Sequence, residues 1–135
     1  MKKLFAIIVV CGMLLGTAMP IAAADGLSAI QPRYTYVMDV SAGIEVSTLG
    51  VATCNGLLTT KTNNPVKLVI RLQEHDGSNW MTIKKMEFTD TGDISAAMDY
   101  AIYSGYSYRV HVTGYVYDAQ GNVLESATAA QYMDY

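Results

Sequence analysis

From Tyr34 onward, apolar and polar residues alternate with a period of two, and Gly, Asp, Asn and Pro interrupt the pattern at near-regular spacing. Successive side chains of a strand point to opposite faces, so this is the pattern of half-buried β-strands. The cleanest case sets Val66, Leu68, Ile70 and Leu72 against Lys67, Arg71 and Gln73. His75-Asp76-Gly77-Ser78-Asn79 follows with the Asp-Gly hairpin signal, and Trp80 to Phe88 is the return strand. Upstream, Tyr34 to Val40 puts Tyr34, Tyr36, Met38 and Val40 on one face. Ile44 to Cys54 reads as a second strand, with Gly50 as a candidate bulge. Asn63-Asn64-Pro65 and Asp90-Thr91-Gly92-Asp93 are turns.

Tyr106 to Tyr117 is the longest alternating run. Its even face carries Tyr106, Tyr108, Val110, Val112 and Val116. Its odd face carries Ser107, Arg109, His111, Thr113, Tyr115 and Tyr117. Asp118 to Asn122 forms a loop with Gly121 suited to a left-handed position, Val123 to Ala129 returns, and Tyr132 to Tyr135 is expected to fray. Residues 94–102 fit two periods. Ile94, Ala97, Met98, Ala101 and Ile102 make a helical stripe, with Asp93 as N-cap and Gly105 as stop. Ile94, Ala96, Met98 and Tyr100 also alternate, and the surrounding segments favour a strand, with a short helix left open. Seven segments with turns every 8–12 residues or so predict an all-β fold, an antiparallel two-sheet sandwich.

The chain before this region has a different character. Met1-Lys2-Lys3 is a positive n-region, Leu4 to Leu15 is an apolar run too short to span a bilayer, and Pro20 precedes Ala22-Ala23-Ala24. This predicts a signal peptide over residues 1–24, cleaved after Ala24, and a single secreted domain over residues 25–135. Cys11 lies mid-run behind Val10, where a lipoprotein signal needs a small residue, so lipidation is not expected. Cleavage leaves Cys54 alone, without an intramolecular partner, and its small-residue strand Val51-Ala52-Thr53-Cys54 suits a buried, unreactive thiol. An intermolecular disulfide is the alternative.

Hydrophobic content of 51% and charged content of 16% exclude a disordered chain. The formal net charge is −3, and losing Lys2 and Lys3 with the leader makes it more negative, which argues against a nucleic-acid surface. No second apolar run of transmembrane length follows, so no membrane insertion of the mature chain is expected.

Catalytic chemistry finds little footing. Asp90-Thr91-Gly92 is the aspartic-protease tripeptide, but Thr89 and Asp93 are the wrong flanks, and the same three residues make an ordinary turn. Asp90, Asp93 and Asp99 fall short of a calcium loop. His75, His111 and Cys54 are too few and too scattered for zinc. No nucleophile elbow or phosphate loop is present, so neither enzyme activity nor a cofactor or metal is expected. Tyrosine is the one enrichment, with six of ten between Tyr100 and Tyr117. The outward set Arg109, His111, Tyr115 and Tyr117 is the candidate binding surface, since tyrosine offers rigid area and a hydroxyl at small entropic cost. Trp80 is expected in the core.

Ser104-Gly105-Tyr106-Ser107-Tyr108-Arg109-Val110 resembles the corner entering strand F of immunoglobulin-like and fibronectin type III domains. There a tyrosine hydroxyl bonds back to upstream backbone, a role open here to Tyr106 or Tyr108. More broadly, residues 30–128 resemble a family of small secreted proteins of Gram-positive, gut-type bacteria, a domain of unknown function. The resemblance is carried by Ile30-Gln31-Pro32-Arg33-Tyr34, Gly50-Val51-Ala52-Thr53-Cys54 and Leu72-Gln73 with Trp80. It extends through Gly105 to Val110 and through Tyr117 to Asn122 with Glu125. It implies a secreted module and transfers no catalytic residue. The expected function is a monomeric extracellular binding or adhesion module for a protein or glycan. A small enzyme inhibitor and a structural component of an extracellular assembly are the alternatives.

Overall fold

A computed structural model describes residues 33–135, so the predicted signal peptide and its cleavage point lie outside the described residues. Seven strands follow in order: β1 (Val37–Val46), β2 (Val51–Thr60), β3 (Pro65–His75), β4 (Trp80–Thr91), β5 (Ile94–Ala101), β6 (Ser107–Tyr117) and β7 (Val123–Asp134). They form two antiparallel sheets, one ordered β1-β2-β5 and one ordered β4-β3-β6-β7. The chain leaves the first sheet after β2, builds a hairpin in the second, and returns for β5. This is the Greek-key crossing of immunoglobulin-like and fibronectin type III-like sandwiches.

The core lies between the sheets. β2 contributes Ala52, Cys54 and Leu58; β3 contributes Val66, Leu68, Ile70 and Leu72; β6 contributes Tyr108, Val110, Val112 and Val116. Ile94, Met98 and Ile102 cover it from β5 and the residue beyond. Residues 94–101 are therefore strand. Ile94 and Met98, four apart, suit either period, and pairing with β2 from Val51↔Ala101 to Leu58↔Ile94 decides for extended backbone.

Several sequence expectations are corrected. Ile44 to Cys54 is not one strand: Ile44 to Val46 ends β1, Ser47 to Gly50 turns, and β2 begins at Val51. Gly50 has φ +77° and closes this turn by donating to the Ser47 carbonyl at 3.0 Å, so it is a turn residue, not a bulge. Met38 does not share the inner face. A register shift between Val37 and Asp39 turns it outward, 64% exposed, while Val37 is buried. Tyr132 to Asp134 does not fray, because β7 stays paired with β6 as far as Ser107↔Asp134.

The corner tyrosine is Tyr108. It is fully buried, its hydroxyl donates to the Tyr103 carbonyl at 2.9 Å, and it accepts the Tyr103 amide at 3.1 Å. Tyr106, placed inward by period two, lies before the strand begins and is 48% exposed. Burial pushes the Tyr108 hydroxyl above its ordinary pKa, against the lowering effect of its bond to Tyr103. Tyr108→Phe leaves both Tyr103 backbone groups without that partner and should cost about 1–2 kcal/mol in urea unfolding. Tyr106→Phe should be nearly silent. Equal effects from the two variants would refute the assignment.

Cys54 is buried, as its small-residue strand suggested, and burial, then the nearby Asp99 carboxylate, pushes its thiol up to about 11. It is a protonated core residue at neutral pH, the opposite of an activated nucleophile.

Candidate functional site

The outer face of the four-stranded sheet is assembled in rows fixed by register. Tyr132, Arg109, Gln73 and Thr82 align across β7, β6, β3 and β4. The next row is Ala130, His111, Arg71 and Lys85, then Thr128, Thr113, Val69 and Glu87, then Ser126, Tyr115, Lys67 and Thr89. Arg109, His111, Tyr115 and Tyr117 all lie on this face, half-buried.

They do not form one cluster. Arg109 and Tyr115 are six residues apart on extended backbone, about 20 Å. Arg109 belongs to one end of the face. Its Nε–H donates to Gln73 Oε1 at 2.6 Å, and its guanidinium carbon lies 4.7 Å from the Trp80 ring centroid and 5.9 Å from that of Tyr132. Trp80 in turn stands edge-on to Tyr132 at 5.6 Å and to His75 at 4.9 Å. Aromatic rings from the two edge strands thus meet over the central pair β3 and β6. Each contact is a cation–π or edge-to-face arrangement of favourable sign.

Trp80 is therefore not in the core, contrary to expectation. The hairpin turn sets His75 opposite Trp80. Asp76 ties that turn shut by accepting the Ser78 and Asn79 amides at 2.8 and 2.7 Å. His75 continues the outward series Lys67, Val69, Arg71, Gln73, so its partner faces outward too. Tyr132, 61% exposed, completes the cluster.

The other end holds Tyr115 and Tyr117, with ring centroids 6.3 Å apart and planes inclined by 31°, and Lys67 Nζ 5.8 Å from the Tyr117 centroid. His111 sits between the two ends. Burial, then Arg109 and Arg71, hold its pKa below the ordinary imidazole value, so it is neutral at pH 7.

The acidic candidates separate in space. Asp93 Oδ1 accepts the Thr60 amide at 2.8 Å and Asp99 accepts the Thr53 hydroxyl at 2.7 Å; Asp90, with Thr91 still in β4 and not in the expected turn, accepts the Thr91 amide at 2.8 Å. Among the described residues, no three His, Cys, Asp or Glu side chains gather as a metal set. A polar cleft of about 230 Å³ lies between Thr60–Asn63 and Thr91–Asp93. Its ionisable groups are committed: Asp93 to Thr60, and Lys61 Nζ to the Tyr34 carbonyl at 2.8 Å. Among the described residues, no helix is long and apolar enough to cross a membrane. Compared with protein-family models and with curated proteins, the chain matches none.

Proposed function

We propose that this chain is an exported, non-catalytic binding module that engages an extracellular protein or glycan through the outer face of its four-stranded sheet. The observation that carries this reading is the Trp80–Arg109–Tyr132 cluster. Trp, Tyr and Arg are the residue types that concentrate binding energy at interfaces, because they combine rigid apolar area with directed polar groups. Here they stand together on a sheet face, with Tyr132 mostly in solvent. Tyr115 and Tyr117 extend the surface along β6. Export is supported by the leader pattern of residues 1–24.

Glycan arrays and purified extracellular proteins provide the ligands for the test. The double variant Trp80→Ala/Tyr132→Ser should lose binding, with the melting temperature lowered by only about 5 °C or less. Tyr115→Ser/Tyr117→Ser should weaken binding without removing it. Full affinity in Trp80→Ala/Tyr132→Ser would place the functional surface elsewhere.

A further inference from the structure

Charge is segregated between the two outer faces. β1, β2 and β5 contain no Lys or Arg, and Asp39, Glu45 and Asp99 occupy outward register positions on their sheet. The other sheet carries Lys67, Arg71, Lys85 and Arg109 outward, with His75 and His111 among them. Its outward acids are occupied: Glu87 lies 3.5 Å from Lys85, and Asp134 accepts the Ser107 hydroxyl at 2.6 Å. No carboxylate lies within ion-pair distance of Lys67, Arg71 or Arg109 among the described residues. A chain of net charge −3 thus presents a cationic stripe on its two central strands.

We propose that this stripe binds a carboxylated polysaccharide, laid along the strands from the Trp80–Tyr132 end towards Tyr115 and Tyr117. The proposal rests on the binding-face reading above and adds the ligand's chemistry. Lys67 and Arg71 are four residues apart on β3, about 13 Å, and Arg71 and Arg109 are diagonal neighbours at roughly 7–8 Å. Cations repeating along a line suit an anion repeating along a chain. Between the aromatic ends, His111 and Arg71 align with the short Ala130, and the buried Val69 and Thr113 align with the short Thr128, so the cationic and aromatic side chains are the groups a ligand on this face would meet.

The face also favours a sugar over a peptide. β3 and β6 are paired on both sides, so their backbones have no edge to offer an added strand, the usual mode for an extended peptide. A ligand here is held by side chains alone. Aromatic rings accept the apolar C–H faces of sugar rings, and the guanidinium and ammonium groups take the carboxylates.

His111 provides an internal reporter. It faces Arg71 on β3, with Lys85 of β4 beyond it, Arg109 on its own strand, and Ala130 and Tyr132 on β7. No carboxylate stands in its row. A bound carboxylate would offset the cations that disfavour its protonation, so binding should draw a proton onto His111. Affinity should then rise as pH falls from 7.5 to 5.5, where sugar carboxylates stay ionised, and His111→Gln should abolish that rise.

The experiment is affinity electrophoresis of the folded protein in gels containing polygalacturonate, neutral dextran, poly-glutamate or a thymidine oligonucleotide. Polygalacturonate should retard the wild type, less so at 0.3 M than at about 0.05 M salt. Lys67→Gln/Arg71→Gln, a pair of half-buried residues outside the core, should bind at least about tenfold more weakly with an unchanged melting temperature. No retardation by polygalacturonate, or equal retardation of that variant, overturns the proposal. Equal or stronger retardation by poly-glutamate or the oligonucleotide overturns the choice of a polysaccharide. Retardation by dextran alone, lost in Trp80→Ala/Tyr132→Ser, overturns the anionic ligand and leaves the binding face standing. If that variant changes no binding in any gel, the face itself is wrong.

Discussion

Gly114→Val is expected to destabilise the domain by about 3 kcal/mol, and to be partly rescued by Leu58→Ala in the same chain. Gly114 lies on the inner face of β6, between the buried Val112 and Val116. A Cβ there would stand 2.8 Å from Leu58 Cδ1 and 2.9 Å from Cδ2. Leu58 is itself fully buried, so it can yield only by leaving its rotamer or by spreading the sheets. The glycine is required for space, because its φ is not positive. Leu58→Ala alone costs about 2–5 kcal/mol by leaving a cavity, yet it opens room for the new side chain. The double variant should therefore be more stable than the sum of the two losses. Gly43 is the control. It also lies in a strand, but its Cβ would meet nothing closer than 3.7 Å, so Gly43→Ala should shift the urea midpoint little. An unchanged midpoint for Gly114→Val, or strict additivity with Leu58→Ala, would contradict this packing.

Much of the fold was legible because burial imposes a period. Val66, Leu68, Ile70 and Leu72 alternate in sequence and all four are buried. The hairpin turn at residues 76–79 and the left-handed Gly121, φ +85°, fall where turn chemistry puts them. Legibility failed where one residue changes the phase. The shift after Val37 sends Met38 outward, and no local signal distinguishes it from the neighbouring apolar positions. The binding face was half legible. Period two gave the side of Arg109, His111, Tyr115 and Tyr117, but not their neighbours. Trp80 could have been placed by carrying the outward series of β3 through His75 and across the hairpin. The general habit of burying tryptophan concealed that step. Tyr132 could not be placed, because a C-terminal segment gives no sign in itself that it pairs with β6.

Glu125→Gln is expected to cost about 2 kcal/mol at pH 7, and the deficit should shrink as the pH falls. Glu125 projects from β7 to the chain leading into β1. One carboxylate oxygen accepts the Thr35 amide at 2.7 Å, and the other accepts those of Tyr36 and Val37 at 2.8 and 2.7 Å. Lys61, just beyond β2, holds the same segment from the other side. Its Nζ donates to the Tyr34 carbonyl and its amide to the Tyr36 carbonyl, both at 2.8 Å. The carboxylate thus joins an edge strand of each sheet where no ladder does. Gln retains the shape but has one acceptor oxygen, and its NH2 would confront an amide that needs an acceptor. Burial pushes the Glu125 pKa up, but the amides of Val37, Thr35 and Tyr36, together with Lys61, outweigh it and leave the value below the ordinary 4.5. A group with a depressed folded pKa contributes stability that is complete above the unfolded value. That contribution is lost as pH falls through the folded one. Wild type should therefore lose more stability than Glu125→Gln between about pH 5 and pH 3, bringing the two urea midpoints together. Asp76 and Asp118, also lowered by bonds within their turns, titrate alike in both proteins and cancel from the difference. Midpoints that stay equally far apart at every pH would show that the loss on substitution does not come from the charged carboxylate.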